Sequence, residues 1–191
     1  VFPSYIIPQL KFIRFFAKIF SIIVKKLASV CESPNLSLFM ANHTPKTDTQ
    51  ENQLSELIKK RQFEEAEMLL KSAYPESQII RVLHQLAEQS TGLLTYTFAH
   101  YLIQKYNTSF WHKVAAVIAS ESLDHVVEGH NAGLYHILKA IELNPTDWLL
   151  QESALGFYAK GLLDRSQALS FAQEVLKHEP TNKLAAKIMN E

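Results

Sequence analysis

From about residue 48 to the end of the chain, apolar positions recur with a helical period, and prolines cut the runs. Phe63, Ala66, Leu70 and Ala73 follow one another at spacings of three and four, which puts them on one face of a helix. Pro75, Pro145 and Pro180 each follow such a run and should end it, because proline pushes the preceding residue out of the helical region. Pro145 and Pro180 lie 35 residues apart, Pro75 lies 70 before Pro145, and the missing station falls at Phe110. Between stations the pattern predicts paired helices near 48–60 and 63–74, 77–89 and 92–107, 110–127 and 131–143, and 147–160 and 165–178. A short terminal helix is expected over Asn182 to Met189, and Gly161 to Asp164 reads as a turn. Asp164 with Gln167 forms a capping pair, and Thr146 and Thr181, each directly after its proline, are expected N-caps.

The first forty residues follow a different pattern. Lys11, Arg14, Lys18, Ser21 and Lys25 fall on one narrow stripe of a helix, while Phe12, Phe15, Phe16, Ile19, Phe20 and Ile23 help cover the rest. Charges interrupt the run too often for a spanning helix of ~20 apolar residues, and they suit a cleavable signal poorly. An amphipathic helix over 9–27 is expected, docking on protein or lying in a membrane surface through Lys11, Arg14, Phe15, Phe16, Lys18, Phe20 and Lys25. The chain starts at Val1, and Met40 precedes a polar stretch that looks like an independently started N-terminus, so residues 1–40 are a candidate for a segment absent from the mature protein.

The stretch Lys139 to Pro145 (KAIELNP) resembles the end of a tetratricopeptide repeat. Counted back from Pro180, Leu155-Gly156 and Ala168 fall where that family places its Leu-Gly pair and a small second-helix residue; counted back from Pro145, Gly133 and Ala140 do the same. Small residues at facing positions let two helices of a hairpin approach closely. There are departures. Glu152 stands in place of the family's early tryptophan, Glu121 in place of its first-helix glycine, and Ala99 is one place out of register. The resemblance implies an all-α fold: a short right-handed αα-superhelix of about four helix pairs with a C-terminal capping helix, after an N-terminal amphipathic helix. Residues 1–40 would then be the amphipathic segment, 41–46 a polar linker and 47–191 the repeat domain.

The same resemblance implies a concave groove, lined mainly by first helices, that receives a peptide or a helix of a partner. Carried over by position, Arg81, His84 and Glu88 would meet it in the second unit, Ile118, Ser122 and His125 in the third, and Leu150, Ser153, Phe157 and Lys160 in the fourth. This lining lacks the lysine and asparagine set with which related domains clamp a C-terminal carboxylate.

Composition narrows the chemistry. Five glycines among 191 residues argue against hairpin-rich β structure, and Cys31 alone makes no internal disulfide or thiolate metal set. Lysine plus arginine equals aspartate plus glutamate at 19 each, but residues 1–40 carry five cations against Glu32 and leave a net −4 for the rest. With no basic stripe, nucleic acid is not expected as a partner. No nucleophile elbow, phosphate loop, dinucleotide fingerprint or zinc-protease helix occurs, so no catalytic residue, cofactor or metal is assigned. The eight histidines are expected to be ordinary core or surface residues, since no two stand at i, i+4 and His84 with Glu88 gives only two ligands. The aromatic residues Tyr96, Phe98, Tyr101, Tyr106, Phe110 and Trp111 suit a helix-pair core as well as a stacking platform. The expectation is a non-catalytic protein-interaction module (an adaptor, chaperone or immunity-like partner) in the cytoplasm. The alternatives are a peripheral membrane-surface factor held by residues 9–27 and a histidine-based metal-binding protein or enzyme.

Overall fold

The computed structural model describes residues 46–191 apart from residue 127, so the expected amphipathic segment, linker residues 41–45 and the start at Met40 lie outside the described residues, while Lys46, expected as linker, opens the first helix. The described residues are all-α, with no strand among them. The helices are α1 (Lys46–Lys59), α2 (Phe63–Ala73), α3 (Glu76–Leu86), α4 (Gly92–Tyr106), α5 (Ser109–Val117), α6 (Gly129–Leu143), α7 (Trp148–Tyr158), α8 (Arg165–His178) and α9 (Lys183–Asn190). From α4 onward the helices pack on their neighbours in sequence: α4 on α5, α5 on α6, α6 on α7, α7 on α8 and α8 on α9. The odd-numbered α3 and α5 also touch, as do α7 and α9.

Two apolar clusters form the core. In the first, Leu54 and Ile58 of α1 meet Ala66 and Leu70 of α2, Val82 and Leu83 of α3, Phe98 and Leu102 of α4, and Trp111 and Val114 of α5. In the second, Ala116 joins Ile137 and Ala140 of α6, Leu150 and Leu155 of α7, Ala168 and Ala172 of α8, and Ala185 and Ile188 of α9. The aromatic set belongs to the first cluster. Phe98 lies 5.5 Å from the Phe63 ring, and Phe110 meets Trp111 edge-on at 4.9 Å. Phe98 and Trp111 are buried in this packing, while Tyr96, Tyr101, Tyr106 and Phe110 are only partly buried and Tyr106, Phe110 and Trp111 border a pocket.

The small residues act unequally. A Cβ on Gly133 would stand 2.8 Å from the Ser120 Cβ and 3.3 Å from the Ala116 carbonyl, so α5 and α6 do approach through it. Ala140 and Ala168 are fully buried. Gly156 differs from the expectation: nothing lies within 4 Å of a Cβ built there, so no close approach depends on it.

Helix ends correct the sequence reading in three places. Asp147, not Thr146, caps α7 by accepting from the Leu149 amide at 3.1 Å, and the Thr146 hydroxyl donates to Asn144 Oδ1 instead. Asn182, not Thr181, caps α9 by accepting from the Ala185 amide at 3.0 Å. The helix expected over 110–127 is α only to Val117, continues as one π turn over Ile118–Ser122, and stops. There the Ser120 hydroxyl donates to the Ala116 carbonyl, a side-chain bond that competes with regular helix geometry. The chain then doubles back so tightly that a Cβ on Gly129 would lie 2.1 Å from the Leu123 carbonyl oxygen. Asp164 behaves as expected, accepting from the Gln167 amide at 3.0 Å.

Two helices end in the same hydrogen-bond motif with different residues. After α7, Gly161 at φ 73° sits between bonds from its own amide to Tyr158 and from the Leu162 amide to Phe157. After α1, Arg61 at φ 58° sits between equivalent bonds to Ile58 and Leu57. This left-handed position favours glycine.

One buried charge crosslinks the first cluster. Glu67 of α2, its side chain 6% exposed, accepts from Lys71 at 2.9 Å, Lys105 at 2.8 Å, Tyr101 at 3.4 Å and the Tyr106 hydroxyl. Burial favours its neutral form, but bonds from Lys105, Tyr106 and Lys71 outweigh burial and hold its pKa down to about 2.

Candidate functional site

The polar chemistry collects in two places, one where α3 and α5 end and one where α4, α5 and α6 meet. Both α3 and α5 end in a π turn, Ala87–Thr91 and Ile118–Ser122, and the two turns touch. Such turns redirect side chains and recur at functional sites. Here they set Glu121 opposite His84. The His84 Nε2 lies 3.2 Å from Glu121 Oε2 and 3.6 Å from Glu88 Oε1. These are ion-pair distances out of hydrogen-bond alignment, and the His84 Nε2 and Ser122 Oγ are both buried atoms with no hydrogen-bond partner. Lys160, at the end of α7, stands 3.3 Å from His130 Nδ1.

Burial works against the ionised forms at this site, and the neighbouring charges partly offset it. Partial burial raises the Glu121 pKa, and the nearby Glu88 carboxylate adds to the rise while His84 and Lys160 pull it back. Burial lowers the Lys160 pKa, with Glu121 and Asp124 acting against the fall. Glu121 is nevertheless 57% exposed, so the carboxyl is crowded by neighbours yet open to a ligand.

The sequence-assigned groove residues divide. His84, Glu88 and Ser122 come together here with Lys160 nearby. Arg81 is exposed and donates to Gln85 at 2.9 Å. His125 is exposed beside Asp124, and the exposed Ser153 donates to the Leu149 carbonyl at 2.8 Å. Ile118, Leu150 and Phe157 are buried, at 1%, 0% and 7% exposure, and belong to the core rather than to any lining. Glu121 and His130 were not assigned. Glu121 was noticed only as a departure from the repeat pattern.

The second cluster was invisible in the sequence. Tyr96 and His100 of α4, His112 of α5 and His136 of α6 meet across three helices. His136 Nε2 lies 2.9 Å from the Tyr96 hydroxyl and 3.1 Å from His100 Nε2, while its Nδ1 lies 3.0 Å from His112 Nδ1. His112 Nε2 faces Asn107 Oδ1 at 3.2 Å, and Asn107 is placed by its left-handed backbone at the end of α4. Burial lowers the pKa of all three histidines, His136 to about 4, with His100 and His112 adding to the effect there. The imidazoles are therefore uncharged at neutral pH. They are bonded to one another, and not to backbone as ordinary core histidines would be.

No protein-family model, curated protein or solved structure matches this chain. Among the described residues, no helix is long and apolar enough to cross a membrane.

Proposed function

We propose that residues 47–191 form a tetratricopeptide-like superhelical array that binds a peptide or helix of a partner protein along the face shared by its first helices. One observation carries this reading. At the touching π turns of α3 and α5, His84 Nε2 and Ser122 Oγ are left without hydrogen-bond partners beside the accessible Glu88 and Glu121 carboxylates. Unmet polar groups are costly within a fold and are met when a ligand supplies partners. The two carboxylates favour a segment that presents a basic side chain, since such a group relieves their mutual repulsion. The pairwise packing of helices in sequence order and the close approach at Gly133 support the repeat architecture.

The test is affinity capture with the full chain and with Glu121→Lys, which reverses the charge at an exposed position. A partner that binds the original chain and is lost on Glu121→Lys, with unchanged helical circular dichroism, supports the reading. A set of captured partners indifferent to Glu121→Lys and to His84→Ala overturns it.

A further inference from the structure

We infer that His100, His136 and Tyr96 form a binding site for a divalent transition-metal ion of the zinc class, with His112 and Asn107 as the groups that orient it. This site lies where α4, α5 and α6 meet and stands independently of the partner-binding reading.

The argument starts from a conflict at one atom. His136 Nε2 faces two partners, the Tyr96 hydroxyl at 2.9 Å and His100 Nε2 at 3.1 Å. A neutral imidazole nitrogen has either one proton or one lone pair, so it serves one of these partners well and not both. The chain behind it fixes which it has. The Asn107 Oδ1 accepts from His112 Nε2, so His112 Nδ1 is a lone pair and accepts from His136 Nδ1. His136 Nε2 is then a lone pair directed at Tyr96 and His100.

That arrangement is how a metal-ligating histidine is usually held: the second ring nitrogen donates to a neighbour, which fixes the tautomer and the ring plane. The distances also fit. Two donors on a tetrahedral ion with bonds of about 2.0–2.1 Å stand about 3.3 Å apart, and the two contacts of His136 Nε2 are within a few tenths of an ångström of that. Imidazole nitrogen suits zinc and its neighbours in the first transition row.

No trio drawn from His, Cys, Asp and Glu converges on one metal position among the described residues. His112 is turned to the far nitrogen of His136, and the third donor is instead the phenol oxygen of Tyr96. On binding, the ion takes the two Nε2 lone pairs, with the His100 proton on Nδ1, and the Tyr96 oxygen, whose proton passes to solvent. Water fills the remaining position. His100 and Tyr96 are only partly buried and Tyr135 beside them is exposed, which leaves a path from solvent.

The experiment uses the full chain, stripped with a chelator and titrated at neutral pH with Zn²⁺ by calorimetry and with Co²⁺ by visible absorption. One ion per chain is expected at this site. His100→Gln and Tyr96→Phe should each weaken it by more than about 10-fold, and His112→Ala by about 10- to 100-fold through loss of orientation. His84→Gln and Glu121→Gln should leave it unchanged, and the Co²⁺ bands should disappear with His100→Gln while helical circular dichroism stays constant. Absence of Zn²⁺ binding by the original chain overturns the inference. So does binding that survives either His100→Gln or Tyr96→Phe, or binding that is lost with His84→Gln.

Discussion

Replacing Glu67 by glutamine keeps the size of the side chain and removes the charge that joins α2 to α4. The carboxyl ionises at about 2 in the folded chain against an ordinary value of 4.5. At about 1.4 kcal/mol per pH unit, that difference is worth about 3 kcal/mol of folding stability at neutral pH. Glu67 is buried, so its own contribution is little screened, but Lys71 and Lys105 are 44% and 47% exposed and turn to water when their partner is lost. Their exposure reduces the expected loss for Glu67→Gln to about 2 kcal/mol. The folded pKa is depressed, so this stability is fully present above the unfolded value near 4.5 and is lost as pH falls from there towards about 2. Urea unfolding of the full chain and of Glu67→Gln, followed by helical circular dichroism, measures the difference at each pH. The other carboxylates titrate in both proteins and cancel in the comparison. A gap below about 0.5 kcal/mol at neutral pH, within the range of an ordinary surface change, refutes the reasoning. A gap that persists unchanged at the acid end refutes it as well.

The same unfolding measurement checks five further substitutions. Arg61→Gly should stabilise the chain by about 1 kcal/mol, because it relieves the left-handed position that α7 fills with Gly161. Gly156→Ala should stabilise by about 0.5–1 kcal/mol, since the new methyl meets nothing in a helix interior, whereas Gly129→Ala should destabilise strongly through collision with the Leu123 carbonyl. Asp164→Ala should cost about 1 kcal/mol as a lost cap. Asn182→Ala should cost more than Asp164→Ala, because Asn182 also donates to Glu152 at 2.6 Å and so ties α9 to α7.

What the sequence made legible was local. Proline stations and three-four spacing located the described helices to within a few residues, except that the helix expected over 110–127 is α only to Val117, because both signals are properties of a single segment and its own backbone. The caps at Thr146 and Thr181 were misplaced by one residue, since asparagine or aspartate stood next to each threonine and only the backbone path decides which oxygen meets the first amides. Ile118, Leu150 and Phe157 were assigned by position in a repeat, but burial depends on the neighbouring helix, which position does not specify. The buried Glu67 gave no signal, since its partners Lys105 and Tyr106 are nearly forty residues away. The three histidines were equally silent: residues 100, 112 and 136 share no helical spacing and meet only because α4, α5 and α6 pack together.

The places where the chain departs from the repeat pattern are where its unusual chemistry lies. A glycine in the third unit's first helix would leave the face of that helix bare; Glu121 stands there instead, and the π turn that carries it brings a carboxylate within 3.2 Å of His84. The second unit matches the pattern least, and it supplies Tyr96 and His100. A chain under pressure only to stack helices has no reason to keep a carboxylate crowded by Glu88, or three desolvated imidazoles in contact, because apolar residues of similar volume would serve the fold at least as well. Local rules broken together, with no gain to packing, point to a role beyond the fold. If stability alone explained the second cluster, replacing His100 and His136 together by leucine should destabilise the chain. Retention of stability with loss of Zn²⁺ binding would separate the two explanations.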